Sequence, residues 1–230
     1  MWGNVVKYLG VFVVAGGVSL WFTQSNKTTE TVQPAFDLPF AANAQEASDT
    51  SEATETQVVD MTLGEEDARI SIVEYASFTC PHCASFHADQ FKKIKENYID
   101  TGKVKFTFRE VYFDKYGMWA SMIARCSGPD RFFGMTDLIL NNQSTWARAG
   151  GDLAIVSELT KLGKIAGLSD EQLNTCMQDA DKLRALVAWY QENAARDDVK
   201  STPSFLIDGE KYSNMSFEEF ATILDAKLAE

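Results

Sequence analysis

The stretch IVEYASFTCPHC, residues 72–83, carries two cysteines where the pattern of apolar residues changes from that of a strand to that of a helix. Its first part, from Ile72 to Ala76, is short, β-branched and largely apolar, which is typical of a buried strand. After the second cysteine, apolar side chains and one histidine recur at helical spacing, at Ala84, His87, Phe91, Ile94 and Tyr98. This spacing places one helix face on a core. The stretch therefore predicts a strand that passes directly into a helix.

The rest of the chain predicts an α/β fold that carries an inserted all-helical domain. Residues 103–113 alternate between apolar and polar side chains, as a strand does. Residues 115–196 have mostly helical patterns. Two short strands at residues 204–207 and 211–212 are joined by Asp208-Gly209, which is a strong hairpin signal. With a last helix after the hairpin, the predicted order is β-α-β, helical insert, β-β-α.

The sequence Cys80-Pro81-His82-Cys83 places a thiol at the start of a helix. Pro81 suits the first helical position, because its missing N–H is not needed there and its φ angle fits the helix. Cys80 then faces the free amide groups at the positive end of the helix dipole, so its pKa should fall below that of a free cysteine. His82 would add to this effect if it were protonated. A stabilised thiolate favours the reduced form, which makes the disulfide a better oxidant.

Cys83 lies one helical turn further along and is expected to be more buried, as the resolving thiol of the pair. It needs a proton acceptor when a mixed disulfide is released. Glu74, an acidic residue in an otherwise apolar strand, is the candidate. The alternative is that strand alternation points Glu74 to solvent. His87 shares the stripe of Cys83 and is interpreted as a packed helix residue.

Other readings of the two-cysteine motif are weaker. A zinc site needs two further ligands, usually as a second close pair, and Cys126 and Cys176 are isolated in the sequence. We therefore expect no bound metal. An inert disulfide is disfavoured, because a pair at a helix start is exposed and strained. Cys126 and Cys176 are interpreted as a structural bridge of the insert worth roughly 3–4 kcal/mol, with two separate free cysteines as the alternative.

Thr202-Pro203 comes just before the apolar run Phe205-Leu206-Ile207. A proline cannot donate a hydrogen bond to a neighbouring strand, so Pro203 belongs at the start or edge of its strand. A cis bond at this position would leave the backbone of Thr202 open to pair with an extended substrate peptide. The general frequency of cis prolines does not by itself predict one here.

Composition and the amino-terminal residues indicate where the chain acts. The formal net charge of the 230 residues is −12, and without a basic cluster the chain is not expected to bind nucleic acid. The 18 residues from Val5 to Phe22 carry one charge and predict a membrane anchor, with a removed signal peptide as the alternative. Residues 24–57 predict a flexible acidic linker. The predicted segments are thus 1–23, 24–57, 58–114, 115–196 and 197–230.

Residues 72–83, together with TPSFLIDG at 202–209 and the helical insert, resemble the DsbA family of thiol–disulfide oxidoreductases. The resemblance covers residues 58–230. It implies a thioredoxin fold, Cys80 as attacking cysteine, Cys83 as buried cysteine, Glu74 as buried acid and Pro203 as cis-proline. It also implies an enzyme without a cofactor in the bacterial periplasm or at the outer cell surface. There it would oxidise reduced or unfolded exported proteins and be re-oxidised by a DsbB-like membrane quinone reductase.

Two features differ from the best-known DsbA proteins and keep other functions open. Thr202 stands where those proteins have valine, and threonine also occurs there in reductases of this fold. The predicted anchor and linker differ from the cleaved signal of the soluble members. A membrane-tethered thiol reductase or isomerase is therefore the second hypothesis, and a thiol metallochaperone is the third.

Overall fold

The computed structural model describes residues 57–230. Within this range the chain forms a five-stranded sheet surrounded by helices, in the following order: β1 (Met61–Leu63), β2 (Ile70–Ala76), α1 (Pro81–Ala88), α2 (Gln90–Ile94), a π-helical turn (Lys95–Ile99), β3 (Val104–Glu110), α3 (Lys115–Cys126), α4 (Pro129–Asn141), α5 (Gln143–Trp146), α6 (Asp152–Ile165), α7 (Asp170–Gln178), α8 (Ala180–Arg196), β4 (Ser204–Ile207), β5 (Glu210–Ser213) and α9 (Phe217–Ala229). The predicted anchor at residues 5–22 and nearly all of the predicted linker lie outside the described residues. None of the helices within residues 57–230 has the length and apolar character needed to cross a membrane.

The sheet has the strand order β1-β3-β2-β4-β5, with β2 at its centre. The β2 and β3 strands are parallel, and the other neighbours are antiparallel. A parallel pair needs a crossover, which α1 and α2 provide. The β4–β5 hairpin turns at Asp208 and Gly209, whose φ angles are 49° and 81°. Positive φ at both turn positions matches the right-handed twist of the strands.

The helix that follows the two-cysteine motif packs against the sheet through aromatic side chains. The Phe86 ring lies 4.8 Å from the Phe205 ring on β4 and 5.8 Å from the Phe220 ring on α9, measured between centroids. All three residues are 0–1% exposed. Aromatic contacts of this kind contribute about 0.5–1.5 kcal/mol each beyond their buried area. This cluster fixes the start of α1 beside the carboxyl end of β2.

The helical insert is confirmed, since α3 to α8 occupy residues 115–196. Cys126 at the end of α3 and Cys176 in α7 form a disulfide with an S–S length of 2.05 Å. This bridge closes a loop with a sequence separation of 50 residues inside the insert. Loop-closure entropy gives such a bridge a stabilisation of about 4 kcal/mol.

Two parts of the predicted secondary structure differ from the observed one. The sequence did not predict β1, because three residues are too few to show alternation, and the strand exists through its pairing with β3. The helix after Cys83 is also not continuous. It breaks at Asp89, where φ is −129° and ψ is −72°, and resumes as α2 and the π-helical turn. Asp is a poor interior helix residue, and the buried face nevertheless continues through Phe91, Ile94 and Tyr98.

Candidate active site

The two thiols lie at the carboxyl end of the central strand. Cys80 is the N-cap of α1 with extended backbone angles of −82° and 118°, and Pro81 occupies the first turn, as predicted. Both Cys80 and Cys83 are free thiols. Cys83 is fully buried, and Cys80 is 8% exposed, which is less than the exposed position that the sequence predicted. Part of the cause is the loop before β4, because the carbonyl oxygen of Thr202 lies 3.4 Å from the Cys80 sulfur.

The surroundings of Cys80 favour its thiolate. The pKa of Cys80 is lowered to about 5 from its ordinary value, and the largest cause is a hydrogen bond from the Cys83 thiol. Burial acts in the opposite direction, while the backbone amides of Cys83 and His82 add to the lowering. His82 lowers the pKa of Cys80 through its backbone N–H, and the His82 side chain is exposed. The helix start therefore acts on Cys80 through directed hydrogen bonds.

Cys83 has the opposite tendency. Burial raises the pKa of the Cys83 thiol well above its ordinary value, and the negative charges of Cys80 and Glu74 raise it further. At neutral pH the reduced pair is accordingly one thiolate at Cys80 and one thiol at Cys83. Because the thiolate is the nucleophile in disulfide exchange, the outer sulfur reacts with other molecules and the inner sulfur reacts with Cys80.

The low pKa of Cys80 predicts a characteristic pH dependence. We expect the rate of alkylation of the reduced protein by iodoacetamide to be half-maximal near pH 5, whereas an ordinary thiol would follow a pKa of about 8.5. The folded pKa is depressed, so the stability that the thiolate contributes is complete above the unfolded pKa and is lost as the pH falls through about 5. Peptide mapping should find the label on Cys80. A half-maximal rate above about pH 8 would contradict the assignment.

The loop before β4 faces the thiols. The Thr202–Pro203 peptide bond is cis, as the resemblance to DsbA implies. Sheet pairing of β4 begins at Ser204, so Thr202 lies outside the ladder that β4 forms with β2 and β5. The structure thus brings Thr202 and Pro203 to the site together with the two cysteines.

Glu74 points into the core and not to solvent. In the sheet register it lies between Phe108 on β3 and Phe205 on β4, and it is fully buried. Its carboxylate contacts the ring of His87, with 2.7 Å between Oε2 and Nε2. Sequence reasoning assigned His87 to packing only. Its spacing of four residues from Cys83 was the available signal, because that spacing returns to the same helix face.

Gln143 is a second residue that the sequence analysis did not single out. It lies in α5, is 8% exposed, and donates hydrogen bonds from Nε2 to the carbonyl oxygens of Phe78 at 2.7 Å and Cys80 at 2.9 Å. These bonds connect the insert to the loop that holds the attacking thiol. More than 60 residues separate Gln143 from Cys80 in the sequence, so no local pattern could reveal the contact.

Within residues 57–230, no group of three or more His, Cys, Asp or Glu side chains is arranged to hold a metal ion. The site is therefore described by two thiols, a cis-proline loop and a buried carboxylate–imidazole pair. These features define a thioredoxin-fold protein with an inserted helical domain and a redox-competent Cys-x-x-Cys pair.

The chain belongs to the thioredoxin family, whose profile matches residues 56–226. A candidate protein-disulfide oxidoreductase of Rickettsia bellii is 33% identical over 172 residues, which are 74% of this chain and 65% of the relative. Disulfide bond formation protein D of Bacillus subtilis is 34% identical over 102 residues, 40% of this chain and 46% of the relative. The chain thus spans less than two thirds of the length of these curated relatives.

The solved structure of Wolbachia pipientis alpha-DsbA1 is similar in fold, with a TM-score of 0.69 and 27% sequence identity. The match covers 74% of this chain and 91% of that chain. The resemblance to DsbA proteins that residues 72–83 carry in the sequence is thereby confirmed, as is the thioredoxin fold with a helical insertion.

Proposed function

We propose that this protein is an extracytoplasmic thiol–disulfide oxidoreductase that introduces disulfides into exported proteins through Cys80 and Cys83. The observation that supports this proposal most strongly is the contrast between the two thiols. The pKa of Cys80 is lowered to about 5, and the pKa of Cys83 is raised. Stabilising the thiolate stabilises the reduced enzyme, so the enzyme disulfide gives up its oxidising equivalents readily.

The exchange needs no cofactor, because both half-reactions take place between sulfur atoms. A substrate thiolate attacks Cys80 of the enzyme disulfide, a mixed disulfide forms, and Cys83 leaves and takes up a proton. A second substrate thiolate then attacks the substrate sulfur of the mixed disulfide. The substrate leaves with a disulfide, and Cys80 leaves as a thiolate. The low pKa of Cys80 makes it a good leaving group in this last step.

The substrates we propose are reduced or unfolded proteins that present an extended segment. Thr202 lies outside the sheet ladder, and its carbonyl oxygen is 3.4 Å from the Cys80 sulfur. A peptide that pairs with this backbone would place its cysteine beside Cys80 without contacts that depend on sequence. The name of the Bacillus relative refers to disulfide bond formation and supports this direction of exchange, whereas the name of the Rickettsia relative refers to disulfide exchange in either direction.

The proposal also includes the location and the partner of re-oxidation. The apolar residues 5–22 would anchor the chain in the inner membrane, with the redox domain in the periplasm or at the outer cell surface. A DsbB-like membrane quinone reductase would then restore the Cys80–Cys83 disulfide. A tether to the same membrane would raise the effective concentration of enzyme near that partner.

The test is the equilibrium constant of the Cys80–Cys83 pair against glutathione, measured on the full chain. We expect a reduction potential above about −180 mV, in the range of the oxidising members of the fold. A value near about −270 mV, which is that of thioredoxin, would overturn the oxidising role and favour a membrane-fed reductase.

A further inference from the structure

Glu74 and His87 form a buried pair close to Cys83. Oε2 of Glu74 and Nε2 of His87 are 2.7 Å apart, and the two side chains are 0% and 1% exposed. His87 follows Cys83 by one turn of α1, and the charge of Glu74 acts on the Cys83 thiol. Such a pair is costly to bury, so its place beside a reacting thiol calls for an explanation.

The walls around the pair are aromatic. The His87 ring lies 4.6 Å from the Phe91 ring of α2, 5.5 Å from the Phe86 ring of α1 and 5.7 Å from the Phe108 ring of β3. Phe205 of β4 lies beside Glu74 in the sheet register. The neighbouring strands and α2 therefore contribute no titratable group at these contacts. The charge of Glu74 raises the pKa of the Cys83 thiol, and Cys83 in turn is hydrogen-bonded to Cys80.

The hydrogen bonding of the pair is incomplete. Oε1 of Glu74 and Nδ1 of His87 are buried and have no hydrogen-bond partner among residues 57–230. With one proton between them, the neutral imidazole donates to the carboxylate and the pair carries a negative charge. With a second proton, the pair has no net charge. The two groups share their protons as one unit, and the aromatic surroundings make the charged state of that unit expensive.

This arrangement matches the proton demand of the exchange reaction. If a negative pair accepts the proton that Cys83 gives up, the pair becomes neutral as the sulfur becomes negative. Passing one proton between them keeps the total charge of the buried site at −1 in both states. Without this transfer, two adjacent negative charges would be buried together.

We propose that His87 completes a shared-proton relay with Glu74, the acid already expected to exchange a proton with Cys83, and that this relay takes up the Cys83 proton when Cys83 attacks and returns it when Cys83 leaves. Glu74 exchanges the proton with the thiol. His87 is a positioning residue, which holds the carboxylate and shares its proton. In the attacking direction the Cys83 sulfur bonds to Cys80, the bond from Cys80 to its partner breaks, and the partner leaves as a thiolate.

The relay rests on the disulfide exchange proposed above but not on its direction, because a reductase would pass the same proton. The test uses the reduced full chain and a symmetrical aromatic disulfide that releases a coloured thiolate. Attack by Cys80 releases the first thiolate in a phase that depends on the disulfide concentration. Attack by Cys83 on the resulting mixed disulfide releases the second in a phase that does not. If the first phase were missing, the proposed disulfide exchange would be wrong, and the relay that depends on it would be wrong as well.

Three variants separate the relay from packing. In the wild type we expect the second phase to vary little between about pH 6 and 8, because the relay supplies the base. In His87→Leu it should be about a hundredfold slower at pH 7 and rise with pH, since the carboxylate loses its partner. In Glu74→Gln the second phase should be slowed by a similar factor at pH 7 and should also rise with pH. Phe220→Leu, which removes buried packing from α9 on Phe86 but lies outside the aromatic wall described around the pair, should keep the wild-type pH profile.

The double variant Glu74→Gln/His87→Leu shows whether His87 acts through Glu74. If it does, the second phase of the double variant equals that of Glu74→Gln alone, because removing His87 has no effect once the carboxylate is gone. The first phase should keep its rate in all variants. A wild-type pH profile in His87→Leu, or rate losses that multiply in the double variant, would overturn the relay.

Discussion

Replacing Cys80 with serine is expected to reduce disulfide transfer to a reduced test protein to the uncatalysed rate, a loss of at least about a thousandfold. The reason is that Cys80 carries the stabilised thiolate, with a pKa of about 5, while burial raises the pKa of Cys83 and keeps it a thiol. No other free cysteine exists among the described residues. The measurement is the rate of disulfide formation in the test protein, with glutathione disulfide to re-oxidise the enzyme.

The fold should survive this substitution. Cys80 is the N-cap of α1 and makes no side-chain capping hydrogen bond, whereas serine is among the preferred N-cap residues and gains about 1 kcal/mol over residues that cannot cap. At about pH 4, where Cys80 of the reduced wild type is protonated and its thiolate contributes no stability, the melting temperature of Cys80→Ser should therefore be no lower than that of the reduced wild type. A fall in activity that is accompanied by unfolding would contradict this account of the helix start.

Cys83→Ser provides the matched control, because it removes the inner sulfur and leaves the outer one. This variant should collect mixed disulfides with substrate proteins, visible on non-reducing gels, since no internal thiol can resolve them. Cys80→Ser should collect none. If instead Cys80→Ser retained exchange activity or formed mixed disulfides, Cys83 would have to be the attacking residue, and its full burial would need another explanation.

The parts of the site that could be predicted from the sequence are those that local geometry determines. A strand followed by Cys80-Pro81-His82-Cys83 places a thiol at a helix start whatever the rest of the chain does. The identities of Pro203 as cis-proline and Glu74 as buried acid came from the resemblance to DsbA. Strand alternation alone left the direction of Glu74 open, and the register with Phe108 and Phe205 decides it.

What the sequence could not predict depends on contacts between distant elements. Gln143 reaches the active-site loop from the insert, and His87 has a partner only because α1 lies across β2. The short strand β1 exists through its pairing with β3. The helical spacing of His87 placed it on the core face but did not identify Glu74 as its partner, and neither Gln143 nor β1 carries a periodic pattern that reports its contact, so tertiary structure was needed to find these contacts.

The buried ion pair between Glu110 and Arg125 leads to the largest expected stability change. Nε and one terminal nitrogen of Arg125 donate to the two carboxylate oxygens of Glu110 at 2.6 Å and 2.8 Å, and both side chains are at most 3% exposed. Burial alone would lower the pKa of Arg125, but the charge and hydrogen bonds of Glu110 raise it. The pair joins α3 of the insert to β3 of the sheet.

We expect Arg125→Met to destabilise the protein by about 3–5 kcal/mol, because it leaves the Glu110 carboxylate buried with one remaining hydrogen bond, from Ser121 at 3.1 Å. The double variant Arg125→Met/Glu110→Leu should recover most of this loss, since it removes both charges and keeps most of the volume. Denaturant midpoints at constant m-value give the free energies of unfolding.

Arg184→Met is the control for loss of an arginine as such. Arg184 pairs with Asp181 on the surface of α8, where the two side chains are 71% and 78% exposed. Exposed pairs of this type contribute about 0.3–0.5 kcal/mol, so this variant should unfold close to the wild type. If Arg125→Met cost as little as Arg184→Met, the insert would be held to the sheet by apolar packing alone. If the double variant stayed as unstable as the single one, the loss would come from the other contacts of Arg125, with the carbonyl oxygen of Val59 at 3.0 Å and the rings of Phe132 and Trp189, and not from an unpaired charge.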